Sequence, residues 1–258
     1  MVRNLEYPKK PQNTLKRYNN RGTYDLGPIH TIINTTSVLH VSFPPGPDQP
    51  FPAILPMIGV MGSFDYPSAS LDEPLDCYLH GYVSSRLMRI ARDSAEGLPV
   101  SIAATKVDGL VLSLTPNSHS YNYRSAVLQG YAKPVDSDDE KIYAMQLITD
   151  KVVAKRWENT RVPPDNVEMT STTILRVKIE TGSGKIRQGG PHDEAKDESR
   201  DEITEKVWTG VVPVYEAFEA PIPSETNKVK EIPAYITSYV NSTNDGNKKT
   251  ALNAVNEP

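Results

Sequence analysis

The sequence predicts a mainly β fold, an antiparallel β-barrel with peripheral helices. About five or six apolar runs rich in β-branched residues come first, mostly in hairpin succession, and two more close the pattern. Helical patterns are few and short, and they do not alternate with the strands as they do in a parallel α/β sheet. No internal repeat is visible, so these runs predict one barrel domain rather than an array of small units.

The composition is that of a polar chain with stiff loops. The 258 residues include 22 prolines and 13 tyrosines, and the formal net charge is −4. No segment approaches the ~20 consecutive apolar residues that cross a membrane, and a mildly acidic chain lacks the clustered cations of a general DNA-binding protein. The one cysteine, Cys77, cannot form an internal disulfide. We therefore expect a cytoplasmic protein that binds neither nucleic acid nor membrane.

Several segments have the apolar or alternating pattern of a strand. They are residues 37–43, 51–62, 75–82, 98–105, 109–115, 125–135, 172–180 and 207–214. The dipeptide Asp108-Gly109 predicts a hairpin turn between the fourth and fifth of these segments. Gly130 predicts a bulge or bend in the sixth, and Pro56 is compatible with the second only at a sheet edge or a bulge.

Two segments have helical patterns. Ser84 and Ser85 precede apolar positions at helical spacing, and Gly97 is a suitable stop for this helix. Ser137 and Glu140 have the spacing of a capping box, which predicts a second helix that ends near residue 155.

The chain divides into three regions by composition. Residues 1–20 form a basic arm that we expect to lie on the surface, residues 21–214 form the barrel domain, and residues 215–258 form an extension. The polar segment from Asn241 onward predicts a mobile tail at the end of this extension.

The strongest local signal for chemistry is the segment from Tyr78 to Arg86. A strand delivers His80, the chain passes a glycine, and Ser84, Ser85 and Arg86 open a helix. The amide groups at a helix start bind phosphate well, and an arginine adds a bidentate donor. The simpler alternative is that Ser84 only caps the helix and that Arg86 only faces solvent.

Two further segments carry ligand-binding residue types. Residues 117–125 combine donors, aromatic rings and Arg124, which suits a planar, phosphorylated ligand, although an ordinary polar hairpin loop has the same composition. Lys185 and Arg187 share one face if the strand from residue 172 continues, so that they can reach a ligand or a partner subunit together.

The remaining common sites have little support in the sequence. The five histidines never have the spacing of metal ligands, and no Gly-x-Ser-x-Gly nucleophile motif is present. The sequence also contains neither the phosphate-binding loop of nucleotide hydrolases nor the glycine fingerprint of dinucleotide-binding domains. We therefore expect no metal site and no catalytic triad.

An ordered set of segments resembles one known group of proteins. The matching pieces are Arg21-Gly22-Thr23-Tyr24-Asp25, His40-Val41-Ser42-Phe43, Tyr78-Leu79-His80-Gly81 with Ser85-Arg86, Asp108-Gly109-Leu110-Val111-Leu112, His119 to Ser125, Lys155-Arg156-Trp157 with Arg161 and Pro163, residues 183–194, and Trp208 to Pro213. Together they resemble the pyridoxamine 5′-phosphate oxidase-like split-barrel superfamily, in the branch of flavin-nucleotide-binding proteins related to nitroimidazole-resistance proteins.

The resemblance implies a six-stranded split barrel that forms a homodimer with one FMN in each of two clefts at the interface. It implies that the cofactor contacts Pro56, Met57, Ile58, His80, Ser84, Ser85, Arg86, Ser120, Asn122, Tyr123 and Arg124. Residues 55–58 would run along the flavin ring, and His80 would lie near the flavin, where it either relays a proton or supports the phosphate loop.

The resemblance leaves two functions open. The first is an FMN-dependent oxidoreductase that acts on a small molecule, of the pyridoxamine-phosphate-oxidase or nitroreductase kind, and the second is a flavin-binding or sensing protein without turnover. Many relatives have two adjacent histidines where this chain has Ser118-His119. A related branch of the superfamily binds haem, but its histidine context is not recognisable in this sequence.

Overall fold

The structure, a computed structural model, describes residues 4–46 and 49–256. In these residues it contains one mainly antiparallel sheet. Its strands are β1 (Gly22–Thr23), β2 (Leu39–Phe43), β3 (Ala53–Met57), β4 (Gly59–Gly62), β5 (Asp76–Tyr82), β6 (Leu98–Leu112), β7 (Ser120–Pro134), β8 (Thr172–Arg187) and β9 (Gly210–Pro213). The order is β3-β2-β6-β7-β8-β5-β4, with β1 paired to β8 and β9 paired to β6.

The helices lie between and after the strands. They are α1 (Leu26–Thr35), α2 (Arg86–Asp93), α3 (Asp138–Val152), α4 (Asn166–Ser171), α5 (Ala195–Glu198), α6 (Asp201–Thr204) and α7 (Ala234–Asn253). The predicted class, an antiparallel β fold with peripheral helices, is confirmed. The described sheet has nine strands instead of six because β1 and β9 are short additions and the segment 51–62 divides into β3 and β4.

The chain forms two compact units. The first contains Met1–Thr105 and Ser125–Lys185, and the second contains Lys106–Arg124 and Ile186–Pro258. In the first unit, strand alternation builds the core: Leu39, Val41 and Phe43 of β2 are buried, whereas the intervening residues are not. All of the largest fully buried side chains belong to this unit. They are Tyr78, Ile29, Ile33, Leu39, Leu79, Leu87, Met88, Ile102, Leu128, Ile174, Leu175 and His30.

A second apolar layer lies under α3. Val60, Tyr78 and Ile174 pack there against Ala144 and Ile148 of the helix. The side chain of Ser137 caps α3 by accepting a hydrogen bond from the Glu140 amide, as the sequence predicts. The Glu140 carboxylate instead accepts hydrogen bonds from the Tyr78 hydroxyl (2.9 Å) and from Arg176 (3.0 Å).

The hairpin predicted at Asp108-Gly109 is wrong, because β6 continues through both residues to Leu112. The Asp108 side chain is buried and paired with Arg124, so it does not form a turn. A Cβ atom at Gly109 would lie 2.8 Å from Val211, which shows how closely β9 packs on this part of β6. The glycine permits this close approach.

Gly130 lies where the backbones of two neighbouring strands approach each other closely. It lies inside β7, and a Cβ atom there would be 2.1 Å from the carbonyl oxygen of Lys178 on the neighbouring strand. The sequence predicts a bulge or bend at Gly130. The structure instead shows two backbones so close together that no side chain fits between them.

Two buried side chains of the N-terminal arm pack into the rest of the first unit. Tyr7 is buried, and its hydroxyl lies 2.6 Å from Nε2 of His30. Asn13 is also buried and donates to the carbonyl oxygens of Pro8 (3.0 Å) and Gly182 (2.9 Å). In its described part, residues 4–20, most side chains of the arm are exposed, whereas Tyr7 and Asn13 lie in the interior.

The second unit contains a helix where the sequence predicts a mobile tail. Residues 234–253 form α7, and Ala251 and Ala254 at its end are completely buried. The Ala254 carbonyl oxygen accepts hydrogen bonds from the Gly189 amide (2.9 Å) and from the Asn122 side chain (2.8 Å). The prediction failed because these partners lie far from α7 in the sequence.

Cys77 is fully buried in β5. Burial raises the pKa of its thiol to about 12. Among the described residues, no helix is long and apolar enough to cross a membrane.

Candidate functional site

The turn between β5 and α2 is formed by a short set of backbone bonds. The Ser85 amide donates to the Tyr82 carbonyl oxygen (2.9 Å), and the Val83 amide donates to that of Ser171 (3.1 Å). Ser85 has extended backbone angles and accepts the first helical bond from the Arg89 amide (3.1 Å). The predicted helix start is therefore confirmed at Ser85.

The start of α2 has no side-chain cap. Ser85 makes no side-chain hydrogen bond to the first turn, and the Ser84 hydroxyl has no partner among residues 4–46 and 49–256. By contrast, Asp165 forms a complete capping box at the start of α4. The start of α2 therefore lacks the side-chain acceptor that a cap would supply, and no side chain of Ser85 offsets the positive end of the helix dipole.

Arg86 reaches from this helix start to the loop between β2 and β3. Its Nη1 donates to Oε1 of Gln49 at 2.7 Å, and its Nη2 lies 3.8 Å from the position that a Cβ atom of Gly46 would take. Arg86 is partly exposed. The guanidinium group thus lies beside the uncapped helix start, and among the described residues its hydrogen-bond partner is Gln49, which leaves further donors for a ligand.

Gly81 explains how α2 lies so close to β5. A Cβ atom there would be 2.6 Å from Cε of Met88, a fully buried side chain of α2. A larger residue at position 81 would force the Met88 side chain to move.

His80 precedes this turn on β5, in register with Ile174 of β8. The imidazole is exposed and has no hydrogen-bond partner within the described part of the chain. Partial desolvation nevertheless lowers its pKa, so the ring is neutral at pH 7. A neutral imidazole can accept a proton at one nitrogen and donate one from the other.

Pro56 and Met57 lie on β3, which stands at the end of the strand order. Pro56 pairs with His40 and Met57 with Leu39. Pro56 is therefore at a sheet edge, as its presence in a strand requires. Ile58 follows the strand and packs against the cluster under α3, which includes Ile174, the register partner of His80.

A family model described as pyridoxamine 5′-phosphate oxidase matches residues 26–186, more than half of the chain. The chain belongs to the pyridoxamine 5′-phosphate oxidase family. The matched region contains every residue that the family resemblance places at the cofactor. A comparison with curated proteins finds no match.

Two solved structures share the fold over nearly the full chain. The flavocytochrome Anf3 from Azotobacter vinelandii is 23% identical with a TM-score of 0.73, and the match covers 89% of this chain and 97% of that one. The FAD and haem binding protein from Mycobacterium smegmatis is 21% identical with a TM-score of 0.70, covering 85% of this chain and 97% of that one.

In this member of the pyridoxamine 5′-phosphate oxidase family, Asn122 has partners inside the second unit. Its amide nitrogen donates to the carbonyl oxygens of Gly189 (3.0 Å) and Ala254 (2.8 Å), and its oxygen accepts from Arg187. The side chain is completely buried. All of its polar atoms are therefore engaged by the protein.

Arg124 is engaged in the same way. Its Nε and Nη2 donate to the two carboxylate oxygens of Asp108 at 2.7 and 2.8 Å, which is a bidentate pair. Ser120 is the first residue of β7 and Tyr123 lies three residues later, and both are partly buried. Of the four residues on β7 that were predicted to contact the cofactor, Asn122 and Arg124 thus already bond to groups of the second unit.

Lys185 and Arg187 have different surroundings, although β8 continues through both as the sequence predicts. Lys185 donates to the carbonyl oxygen of Arg17 at 2.9 Å. Arg187 is buried and donates to Asn122 and to the carbonyl oxygen of Gly190 (2.9 Å). The expectation that they reach one ligand together is wrong, because Arg187 bonds to neighbouring groups of the second unit.

The sequence did not indicate two features of the first unit. The contact of Gln49 with Arg86 joins positions 37 residues apart, and nothing in the local sequence indicates it. A cleft of about 470 Å³ in the first unit is lined by residues that include Ser42, Ser101 and Gln129 and by none of the predicted site residues.

Among the described residues, no group of three or more metal-ligating side chains converges.

Proposed function

We propose that the protein binds a flavin nucleotide, FMN by the family resemblance, and holds its phosphate at the start of α2. The observation that carries the proposal is the uncapped start of α2, where Arg86 lies beside two hydroxyls, those of Ser84 and Ser85, that have no hydrogen-bond partner among the described residues. These donors fit a phosphate dianion, which needs several hydrogen bonds and positive charge at one place.

Four of the other predicted residues also have a role in this proposal. Pro56 and Met57 on the edge strand, with Ile58 after it, offer an apolar border for a flat ring. His80 offers a neutral imidazole that can hold or move a proton. We do not include Asn122 and Arg124, because their polar atoms bond within the protein.

A bound flavin would supply the electron or hydride transfer, and the protein would supply binding, orientation and electrostatics. The substrate is expected to be a small molecule that reaches the flavin beside His80. A sensing or binding protein without turnover uses the same phosphate site, so the two functions differ only in whether a donor reduces the cofactor.

The two solved structures support a flavin but not one particular form. One is described as a flavocytochrome and the other as an FAD and haem binding protein. The absorbance spectrum of the purified protein distinguishes the cases, because a flavin and a haem have different bands. Release of the cofactor by heat, followed by chromatography, identifies FMN or FAD. A colourless protein that binds no added flavin would contradict the proposal.

A homodimer is part of the same proposal. Edge strand β3 exposes Ile54 and Leu55, with exposed fractions of 61% and 36%, and such apolar side chains suit contact with a second copy. Light scattering during gel filtration measures the mass.

Two variants test the phosphate site. Arg86→Ala should weaken FMN binding at least about tenfold, since it removes a charge-assisted donor pair. Arg89→Ala removes the same charge one turn further along α2, where the effect of the helix start has declined, and should weaken binding much less. Equal affinities for wild type and Arg86→Ala would refute the site.

Turnover is tested with the flavin-loaded wild type. Anaerobic addition of NADH or NADPH should bleach the flavin bands if the protein is an oxidoreductase. His80→Gln should then slow reduction or reoxidation while FMN affinity stays close to wild type. If neither nucleotide nor pyridoxamine phosphate bleaches the flavin, the binding protein without turnover is favoured.

A further inference from the structure

A group of cations surrounds one exposed aromatic ring on the first unit. The Tyr18 cluster consists of Arg17, Tyr18, Arg21 and Lys185. The distances from the ring centroid are 4.5 Å to the guanidinium carbon of Arg21, 5.1 Å to that of Arg17 and 5.8 Å to Nζ of Lys185. The Tyr18 side chain is half exposed, so this group faces solvent.

The charges of the Tyr18 cluster are not neutralised by the protein. Within residues 4–46 and 49–256, none of its three cations forms an ion pair with a carboxylate. The cations lower the pKa of the Tyr18 hydroxyl, chiefly through a hydrogen bond from Arg17, and no carboxylate opposes them. Three positive charges this close together repel one another, and a bound anion would relieve the repulsion.

The backbone holds these side chains in place. Gly22 pairs with Lys185 across β1 and β8, which brings the end of the arm beside that lysine. Lys185 then donates to the carbonyl oxygen of Arg17 at 2.9 Å. A Cβ atom at Gly22 would be 2.6 Å from Leu15, so the arm packs tightly against the strand.

The arm is also fixed ahead of the cluster. Asn13 is buried and bonded to Gly182, and the Leu15 amide donates to the Tyr24 hydroxyl at 3.0 Å. Tyr18 has a positive φ of 50°, a left-handed conformation that a non-glycine residue adopts at a cost. The donors are therefore preorganised, which reduces the entropy lost on binding.

We propose that the Tyr18 cluster is a binding site for the phosphate group of a ligand, formed by none of the residues that we assign to the flavin. Two guanidinium groups provide fork-shaped donors that match phosphate oxygens, and Lys185 adds a point charge. The exposed ring offers a surface for an aromatic group attached to that phosphate. The proposal does not depend on flavin binding.

Calorimetric titration with inorganic pyrophosphate tests the site on the full chain as purified. The variant Arg17→Gln with Arg21→Gln and Lys185→Gln should raise the Kd at least about tenfold. The control Lys228→Gln with Lys230→Gln and Lys248→Gln removes the same charge from exposed positions and should leave the Kd within about twofold. Equal weakening of pyrophosphate binding in both variants overturns the proposal.

A single substitution tests the site even if the triple variant fails to fold. Arg17 is exposed, so Arg17→Gln should fold normally and still raise the Kd by at least about threefold. The difference between the ultraviolet titrations of wild type and Tyr18→Phe isolates the Tyr18 hydroxyl. Pyrophosphate should raise its pKa, because the anion offsets the cations, and an unchanged pKa counts against the site.

The source of the phosphate is tested with vesicles. Co-sedimentation with vesicles of phosphatidylserine and phosphatidylcholine, but not of phosphatidylcholine alone, would assign the phosphate to a lipid headgroup if the triple variant no longer sediments. Pyrophosphate binding without sedimentation would assign it to a small soluble ligand. Either result supports the phosphate site, and failure of both overturns it.

Discussion

The hydroxyl of Tyr7 and Nε2 of His30 lie 2.6 Å apart in the interior of the first unit. Nδ1 of His30 lies 2.7 Å from the carbonyl oxygen of Leu71, which can only accept a hydrogen bond. Nδ1 therefore carries the proton, and Nε2 accepts from Tyr7. Since His30 is fully buried, these two bonds satisfy the whole ring and attach the N-terminal arm to α1.

Tyr7→Phe should lower the free energy of unfolding by about 1–3 kcal/mol, because it leaves Nε2 of His30 buried without a donor. Urea unfolding followed by circular dichroism measures the change. Tyr131→Phe is the control, since that ring is 46% exposed, and it should change the stability by less than about 0.5 kcal/mol. Equal stabilities of Tyr7→Phe and wild type would contradict the assignment.

His30 also predicts how stability depends on pH. Burial lowers the pKa of its imidazole, and this effect exceeds the opposing influence of the Leu71 carbonyl and of Asp72. Below about pH 6.5 the unfolded chain therefore binds a proton more readily than the folded chain. This contribution to stability is complete above that pH and is lost as the pH falls towards the folded pKa.

The urea midpoint of the wild type should accordingly fall as the pH is lowered from about 7.5 to about 5.5. The imidazole resonances of His30 should titrate below the pH of an unfolded histidine. A His30 titration at or above that pH would show that the ring is stabilised in its charged form, which would contradict a neutral ring that accepts the Tyr7 hydrogen bond at Nε2.

Removal of Arg124 should destabilise the protein without affecting flavin binding. Arg124→Leu leaves the nearly buried Asp108 carboxylate without its bidentate partner, at a cost of about 3 kcal/mol. Adding Asp108→Asn should restore much of the loss, because the unpaired charge is gone. If the folded double variant binds flavin at least about tenfold more weakly than wild type, Arg124 contacts the ligand after all.

Two glycines should respond to alanine in opposite directions. Gly130→Ala forces a Cβ atom against the backbone of Lys178 and should destabilise the protein by about 3 kcal/mol. Gly246→Ala lies inside α7 with no atom within 4 Å of the new Cβ, so it should stabilise the protein by up to about 1 kcal/mol. Thermal unfolding of both variants measures the difference, and a loss at Gly246 would contradict the exposed helix.

The fold was largely predictable because strand and helix signals are local. The alternation of β2, the proline of β3 and the cap of α3 follow from neighbouring residues, and the structure confirms each. The failures at Asp108-Gly109 and at α7 share one cause. In both places the local preference for a turn or a tail gives way to partners far along the chain, Arg124 for the first and Asn122 for the second.

The site was predictable to a different extent in its two parts. The turn from His80 to Arg86 is continuous in sequence, so the residues that form it could be read from their order. Asn122 and Arg124 are polar residues of suitable type, but only three-dimensional contacts show which groups they bond. The Tyr18 cluster likewise needs the pairing of β1 with β8, since Lys185 is remote from Arg17 in the sequence.

The position of Cys77 has a practical consequence for these experiments. With a thiol pKa of about 12 and no exposed surface, it carries almost no thiolate at neutral pH and should not react with maleimides in the folded protein. A cysteine introduced at an exposed position would then be the single labelling site on the native chain. Fluorophores or spin labels can therefore be attached one at a time, beside α2 or beside Tyr18, without first removing the natural thiol.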